Sequence, residues 1–489
     1  MILNLKAIVG TLCVLVFFLG IALLVPFFVG LYYQEPSAWS FAITAGIALI
    51  AGGGGWRITG GSGHDLQIRD GFAIVALTWW VLSLIGALPF VLSGVLASYT
   101  DAFFETMSGF TTTGATILGG SQTPEIEALP NAFLFWRSLM QWLGGMGIIV
   151  LTLAILPILG IGGMQLFKAE VPGPSADKLT PRIQETARRL WLIYVGFTII
   201  QVGLLWPAMG FFDAVNHAFT TMATGGFSTE NESVGQYNSA YIEWVITAFM
   251  LIAGINFALH FRLLSGKAIA FWRDTELRVY LGLIAVASIF IAVVNMMGDA
   301  RYEMWSESIR DGAFQAVAIL TTTGFGTADY EIWHAGAVAV VFMLFFTGGM
   351  AGSTSGGVKI IRLVLLVKNS LKEIMQLIHP NAVIHIRLNG KVVSQEIMRN
   401  VLSFFVLYVL LLGVGTLILA MTNLDLLSAF SVTFSAVGNV GPAFGDFGPT
   451  ENYASISVFG KWVISFLMMA GRLEIFTVLI LFSPAFWKK

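Results

Sequence analysis

The chain has a single cysteine, Cys13, set in an apolar run. An intramolecular disulfide and a cysteine-built metal site are therefore excluded, and Cys13 is read as a packing residue. Charge is equally scarce. Asp, Glu, Lys and Arg make up 11% of 489 residues, too few to solvate the surfaces of several soluble domains. A formal net charge of −2 gives no basic excess, and no nucleic-acid partner is expected. Catalytic groupings are missing too. No Ser/Lys, Ser/His, His-x-x-x-His or paired-carboxylate arrangement occurs at span depth, so an intramembrane protease or lipid-linked transferase is disfavoured. The chain is read as not an enzyme.

What is abundant is apolar. Hydrophobic residues reach 56%, in successive runs long enough to cross a bilayer, which predicts an all-α polytopic membrane protein. Lys6 followed by apolar residues 8–31 superficially resembles a secretory signal. The run is too long for an h-region and lacks a small-x-small cleavage site, so it reads as an uncleaved span.

Four short stretches punctuate the spans. Asp101 leads to Thr111-Thr112-Thr113-Gly114 and Asp213 to Ala223-Thr224-Gly225-Gly226. Asp311 leads to Thr321-Thr322-Thr323-Gly324 and Asp425 to Ser435-Ala436-Val437-Gly438. The glycines Gly114, Gly225, Gly324 and Gly438 recur roughly every hundred residues, an internal repeat. Ten residues of helix rise only about 15 Å, roughly half a hydrocarbon core. Such half-helices must be wrapped in protein or line a wet cavity.

The expected organisation is a two-span prefix, residues 1–71, and four span–half-helix–span repeats over 72–188, 189–278, 279–398 and 399–489. That makes ten full spans and four half-helices, arranged pseudo-fourfold around one ion pore. An even span number puts both termini on one side. Most of the 26 Lys and Arg fall in loops on that side, including Lys168, Lys178, Arg273, Lys359 and Lys368, which predicts that it is cytoplasmic. The half-helices then enter from outside, among acids such as Asp101, Glu105, Glu127, Glu230 and Asp311, which would focus cations. Residues 383–388 and 391–393 flank Asn389-Gly390, which predicts a cytoplasmic β-hairpin, a docking surface or a compact loop.

A dehydrated cation needs oxygens, and main-chain carbonyls are the cheapest source in a membrane. Glycine lets the backbone turn its carbonyls toward an axis, and threonines add hydroxyls or hold the turn. Each half-helix would aim its negative dipole end at the turn, and the four acids fit N-caps at the outer ends. His217 and Gln315, inside half-helices, read as hydrogen-bonded packing residues.

Below the third turn, the run Thr347-Gly348-Gly349-Met350-Ala351-Gly352-Ser353-Thr354-Ser355-Gly356-Gly357 follows the apolar stretch 338–346. It lacks the Gly-Lys-Ser/Thr ending of a phosphate loop. A broken helix at this depth would obstruct a pore, or serve close helix packing. Arg472, between Phe466 and Phe482, is costly at span depth. It could bond Gly352–Gly357 to close one gate, or pair with an acid.

The runs Trp142-Leu143-Gly144-Gly145-Met146-Gly147, Ala351-Gly352-Ser353-Thr354-Ser355-Gly356-Gly357 and Gly471-Arg472-Leu473-Glu474, with the four turns, resemble the membrane subunits of the Trk/Ktr/HKT potassium transporter superfamily. The likeness runs along essentially the whole chain. It implies K+ as the transported ion, with no covalently bound cofactor. It also implies a homodimer in the bacterial inner membrane, partnered by a cytosolic nucleotide-binding regulatory ring of the TrkA kind. The family's filter carries over onto Thr112, Thr113, Gly114 and Ala115; Ala223, Thr224, Gly225 and Gly226; Thr322, Thr323, Gly324 and Phe325; and Ala436, Val437, Gly438 and Asn439. Its intramembrane loop falls on Gly352, Ser353, Thr354, Ser355, Gly356 and Gly357. In plant relatives a serine at the first glycine accompanies sodium preference, so Gly114 implies potassium. A sodium-permeable or sodium-coupled transporter of the same architecture is the alternative. No turn reads Thr-Val-Gly-Tyr-Gly, which implies looser selectivity than in potassium channels. The fourth turn also departs, with Ala436-Val437 in place of threonines.

Overall fold

Long apolar helices alternate with short buried ones. The computed structural model describes residues 3–60, 68–154, 179–298 and 302–487. Lys168, Lys178, Lys488, Lys489 and the polar stretch 61–67 lie outside them. Six described helices are long and apolar enough to cross a membrane: Leu5–Tyr32, Ala38–Ile58, Arg69–Leu92, Glu185–Met209, Thr275–Gly298 and Gln395–Ala420. Asn131–Ala154 forms a further helix after the first half-helix.

Three of the ten expected spans are broken: the third repeat's second span, as its glycine-rich run suggests, and two others that the sequence reading takes as continuous. Ala240–Ala253 turns by 98° into Phe257–Leu264, and Val458–Arg472 turns by 114° into Phe476–Phe482. The run expected to span at 334–358 is helical only over Ala335–Leu344. Local chemistry explains each break. Asn256 caps a new helix by accepting from Ala258 N. Glu474 and Ile475 both take positive φ, 58° and 35°, which no helix continues through. The glycines after Leu344 leave the backbone without helical preference.

The four half-helices are Tyr99–Phe110, Phe211–Met222, Trp305–Leu320 and Leu426–Gly438. Their inner residues, among them Phe103, Phe104, Ala218 and Phe314, are buried by the longer helices around them. Only Asp425 is the N-cap that the sequence suggests, accepting from Leu427 N and Ser428 N at 2.9 and 3.1 Å. The other three acids are corrected. Ser98 caps the first helix, and Asp101, inside it, pairs with Lys461 at 2.6 Å. Asp213 accepts from Thr229 Oγ1 at 2.8 Å. The third helix begins well before Asp311, which accepts from the Tyr302 hydroxyl at 2.9 Å.

Glu35 ties the prefix to the first repeat. Its carboxylate accepts from Asn131 N at 2.6 Å and Ala132 N at 3.0 Å, capping that helix from another part of the chain. Cys13 packs where a side chain on Gly55 would strike its sulfur. The hairpin forms as expected but with short strands: Arg387–Leu388 pairs antiparallel with Lys391–Val392. Asn389 and Gly390 at its tip take φ of 48° and 79°, the two positive angles of a type I′ turn. Ile386, Leu388 and Val393 pack with Ile361 and Leu365 of the helix Ile360–Ile378.

Candidate functional site

After each half-helix the backbone makes the same excursion. Thr112, Thr224, Thr322 and Asn439 take φ of 52°, 53°, 57° and 53°, the left-handed region. Two residues later Gly114, Gly226, Gly324 and Gly441 take φ of 83°, 76°, 73° and 106°. These four glycines are equivalent by conformation. That corrects the register at two turns: Gly226 stands where Gly225 was counted, and Gly441 where Gly438 was. Gly438, Ala436 and Val437 are the last helical residues of the fourth half-helix, and Ala223 is the helical cap of the second. Of the sixteen residues assigned to the filter, these four lie in or at the end of a helix. The other twelve lie in the turns.

The turns meet in sequence and close on themselves. A Cβ on Gly114 would strike the Gly225 carbonyl, one on Gly226 the Thr323 carbonyl, and one on Gly324 the Val440 carbonyl. A Cβ on Gly441 would lie 2.7 Å from the Thr113 carbonyl, which completes the circuit. Glycine is required here by close backbone approach as well as by φ. Thr112, Thr224, Thr322 and Asn439 are fully buried, and no donor among the described residues reaches their carbonyls. A buried carbonyl without a donor is costly in apolar surroundings, so the ring is a set of oxygens suited to a cation.

Side chains brace the turns. Thr111 and Thr113 share a hydroxyl hydrogen bond of 2.8 Å, as do Thr321 and Thr323. The second and fourth turns lack that pair and use substitutes. Gln141 donates to the Gly225 carbonyl at 2.7 Å and accepts from Phe227 N at 3.1 Å. Ser435 accepts from Gly441 N and donates to the Gly441 carbonyl, while Asn439 Nδ2 donates to Thr113 Oγ1 at 2.9 Å. His217 bonds the Asp213 carbonyl and Ser228 Oγ, and Gln315 donates to the Ala328 carbonyl, the packing roles expected of both.

The glycine-rich loop lies against the inner ends of these half-helices. Thr354 Oγ1 donates to the Met222 carbonyl at 3.0 Å, and Gly356 N donates to Thr322 Oγ1 at 2.6 Å. A Cβ on Gly356 would strike the Gly438 carbonyl, and one on Gly349 would strike Ser355 Oγ. Arg472 is buried and donates through Nη1 to the Thr354 carbonyl at 2.7 Å. Its Nε and Nη2 have no partner among the described residues. Glu474 is not its counter-ion, because it pairs with Arg362. The loop and the arginine are thus one connected unit under the second, third and fourth turns.

Several acids expected around the outer mouth are structural instead. Glu105 and Arg137 form a fully buried pair at 2.8 Å. Glu105 also accepts from Ile117 N, and Arg137 donates to the Ser228 carbonyl at 2.9 Å, so the pair fastens the first exit segment to the second. Glu331 accepts from Gly445 N at 2.7 Å. Glu230, in the loop after the second turn, differs: burial, followed by the nearby Glu127 and Asp213, pushes its carboxyl up to about 7.

Residues 40–489 match the family described as TrkH, cation transport protein. The Trk system potassium uptake protein TrkH of Salmonella typhimurium is 43% identical over 486 residues, covering 99% of this chain and 98% of that relative. The Trk system potassium uptake protein TrkG of Escherichia coli is 38% identical, covering 97% of each. The crystal structure of the potassium transporter TrkH from Vibrio parahaemolyticus superposes with a TM-score of 0.90 at 38% identity, covering 99% of this chain and all of that one. The chain belongs to the TrkH family of cation transport proteins.

Proposed function

We propose that this chain takes up potassium across the bacterial inner membrane through a single pore, with the four turns as its selectivity filter. The observation that carries this is the closed circuit of four left-handed turns, each touching the next through glycine, with buried carbonyls that no donor among the described residues reaches. The relatives' names, potassium uptake proteins, support K+ as the cargo. In this reading the filter is Thr112–Ala115, Thr224–Phe227, Thr322–Phe325 and Asn439–Pro442. The four repeats stand pseudo-fourfold around it, behind the two-span prefix.

The loop Gly352–Gly357 and Arg472 form the gate beneath the filter. The arginine places a buried positive charge under the ring, where it repels an arriving cation, and it holds the loop by the Thr354 carbonyl. Both termini face the cytoplasm, where the hairpin and the basic helix Ile360–Ile378 offer a surface to a nucleotide-binding ring of the TrkA kind. The chain works as a homodimer.

Flux through the purified chain in liposomes tests this, with potassium or sodium imposed alone. Potassium flux well above sodium is expected once the gate is open. Equal fluxes would leave a pore but remove the filter.

A further inference from the structure

We propose that Glu276 is the catch of the glycine-rich loop and couples it to the tip of the cytoplasmic hairpin. Glu276 is buried in the first turn of the helix Thr275–Gly298. One of its carboxylate oxygens, Oε1, accepts from Ala351 N at 2.8 Å and from Ile361 N at 3.1 Å. Those two amides bracket the stretch Gly352–Gly357, so a single carboxylate holds both ends of the loop. A buried acceptor oxygen stripped of both amides, and two amides left without it, are costly. The loop cannot leave its seat unless both are given up.

The same helical turn is gripped from the other side. Asn389 Nδ2 donates to Asp274 Oδ2 at 2.8 Å, and Thr275 N donates to Asn389 Oδ1 at 2.8 Å. Asp274 Oδ1 in turn caps the helix through Leu277 N at 3.0 Å. Hairpin tip, helix start and loop thus form one unbroken chain of contacts: Asn389 to Asp274 and Thr275, then Glu276, then Ala351 and Ile361. The tip's tight turn, with two positive φ angles, sets Asn389 against that helix start. A cytosolic protein that displaces the hairpin would shift the helix start, and with it the catch. Glu276 is therefore a positioning residue for the gate and does not meet the ion. The sequence shows none of this, because Glu276 reads as an ordinary first-turn acid.

The inference rests on the loop being the gate, so the test carries Arg472→Ala as a separate arm. Rubidium flux is measured in liposomes on the full chain without a cytosolic subunit. Glu276→Ala is expected to raise flux about tenfold, and Glu276→Gln, which keeps an acceptor oxygen on a side chain of similar length, by a smaller factor. Should the alanine variant not fold, the glutamine variant decides. Asn389→Gly, which suits the positive φ, is expected to raise flux about threefold and to add nothing on top of Glu276→Ala. If Arg472→Ala raises flux and neither Glu276 variant does, the catch is overturned while the gate stands. If none of them does, both fall. Multiplying effects of Asn389→Gly and Glu276→Ala would overturn the link to the hairpin.

Discussion

Arg472 Nη1 lies 2.7 Å from the Thr354 carbonyl, joining the break in the last span to the loop under the four turns. Removing the guanidinium removes both the charge and the tie. Arg472→Ala is expected to raise potassium flux in liposomes about tenfold, and Arg472→Lys, which keeps a charge but loses the planar fork, by less. Unchanged flux in both would end the gating role.

The glycine register gives a sharp comparison within the fourth repeat. Gly441 has φ of 106° and faces the Thr113 carbonyl, whereas Gly438 is helical, with only the Val440 side chain at 3.1 Å from an added Cβ. Gly441→Ala should weaken the preference for potassium over sodium by about tenfold or more, since it adds strain and collides with backbone. Gly438→Ala should stay within about twofold, because alanine improves a helix. Competitive rubidium uptake against sodium measures both, and the opposite order would restore the register counted from sequence.

The buried pair of Arg137 and Glu105 is a matter of stability. Arg137→Ala leaves a carboxylate without its cation inside the protein and should cost about 3–5 kcal/mol. The double variant with Glu105→Ala should cost clearly less than the two single changes added together. Thermal unfolding in detergent reads this, and simple additivity would mean the pair is not coupled.

Glu230 should give potassium uptake a pH dependence. Its carboxyl titrates near 7, above the ordinary value of 4.5, so it is largely neutral at pH 6 and ionised at pH 8. A raised acid weakens the fold as pH climbs from 4.5 through 7, because the folded state binds the extra proton. Its effect on transport runs the other way, since the negative charge that attracts cations is present only above 7. The potassium concentration for half-maximal uptake should therefore rise as external pH falls from 8 to 6. In Glu230→Gln it should stay high throughout. A variant that keeps the full pH response would assign it elsewhere.

The four half-helices and their turns were legible because their signals are local: an acid, an apolar stretch, then threonine and glycine. The hairpin was legible for the same reason at Asn389-Gly390. The register was not, because it depends on where each helix ends. The second ends at Met222, ahead of two adjacent glycines, Gly225 and Gly226, that the motif does not tell apart, and the fourth runs on to Gly438. Asp101 and Asp311 are not caps, although the pattern suggests it, because Ser98 and Trp305 start those helices earlier. Gln141 and Arg137 carried no local signal at all, as their partners lie far along the chain, at Gly225 and Glu105. The breaks at Asn256 and Ile475 sit within apolar runs that hydropathy reads as continuous.

Diffraction from crystals grown in thallium or rubidium salts tests the filter most directly. Anomalous density is expected on the axis enclosed by Thr112, Thr224, Thr322 and Asn439, within bonding distance of their main-chain oxygens. Cation density elsewhere in the protein, with none inside that ring, would contradict the assignment of these turns as the potassium filter.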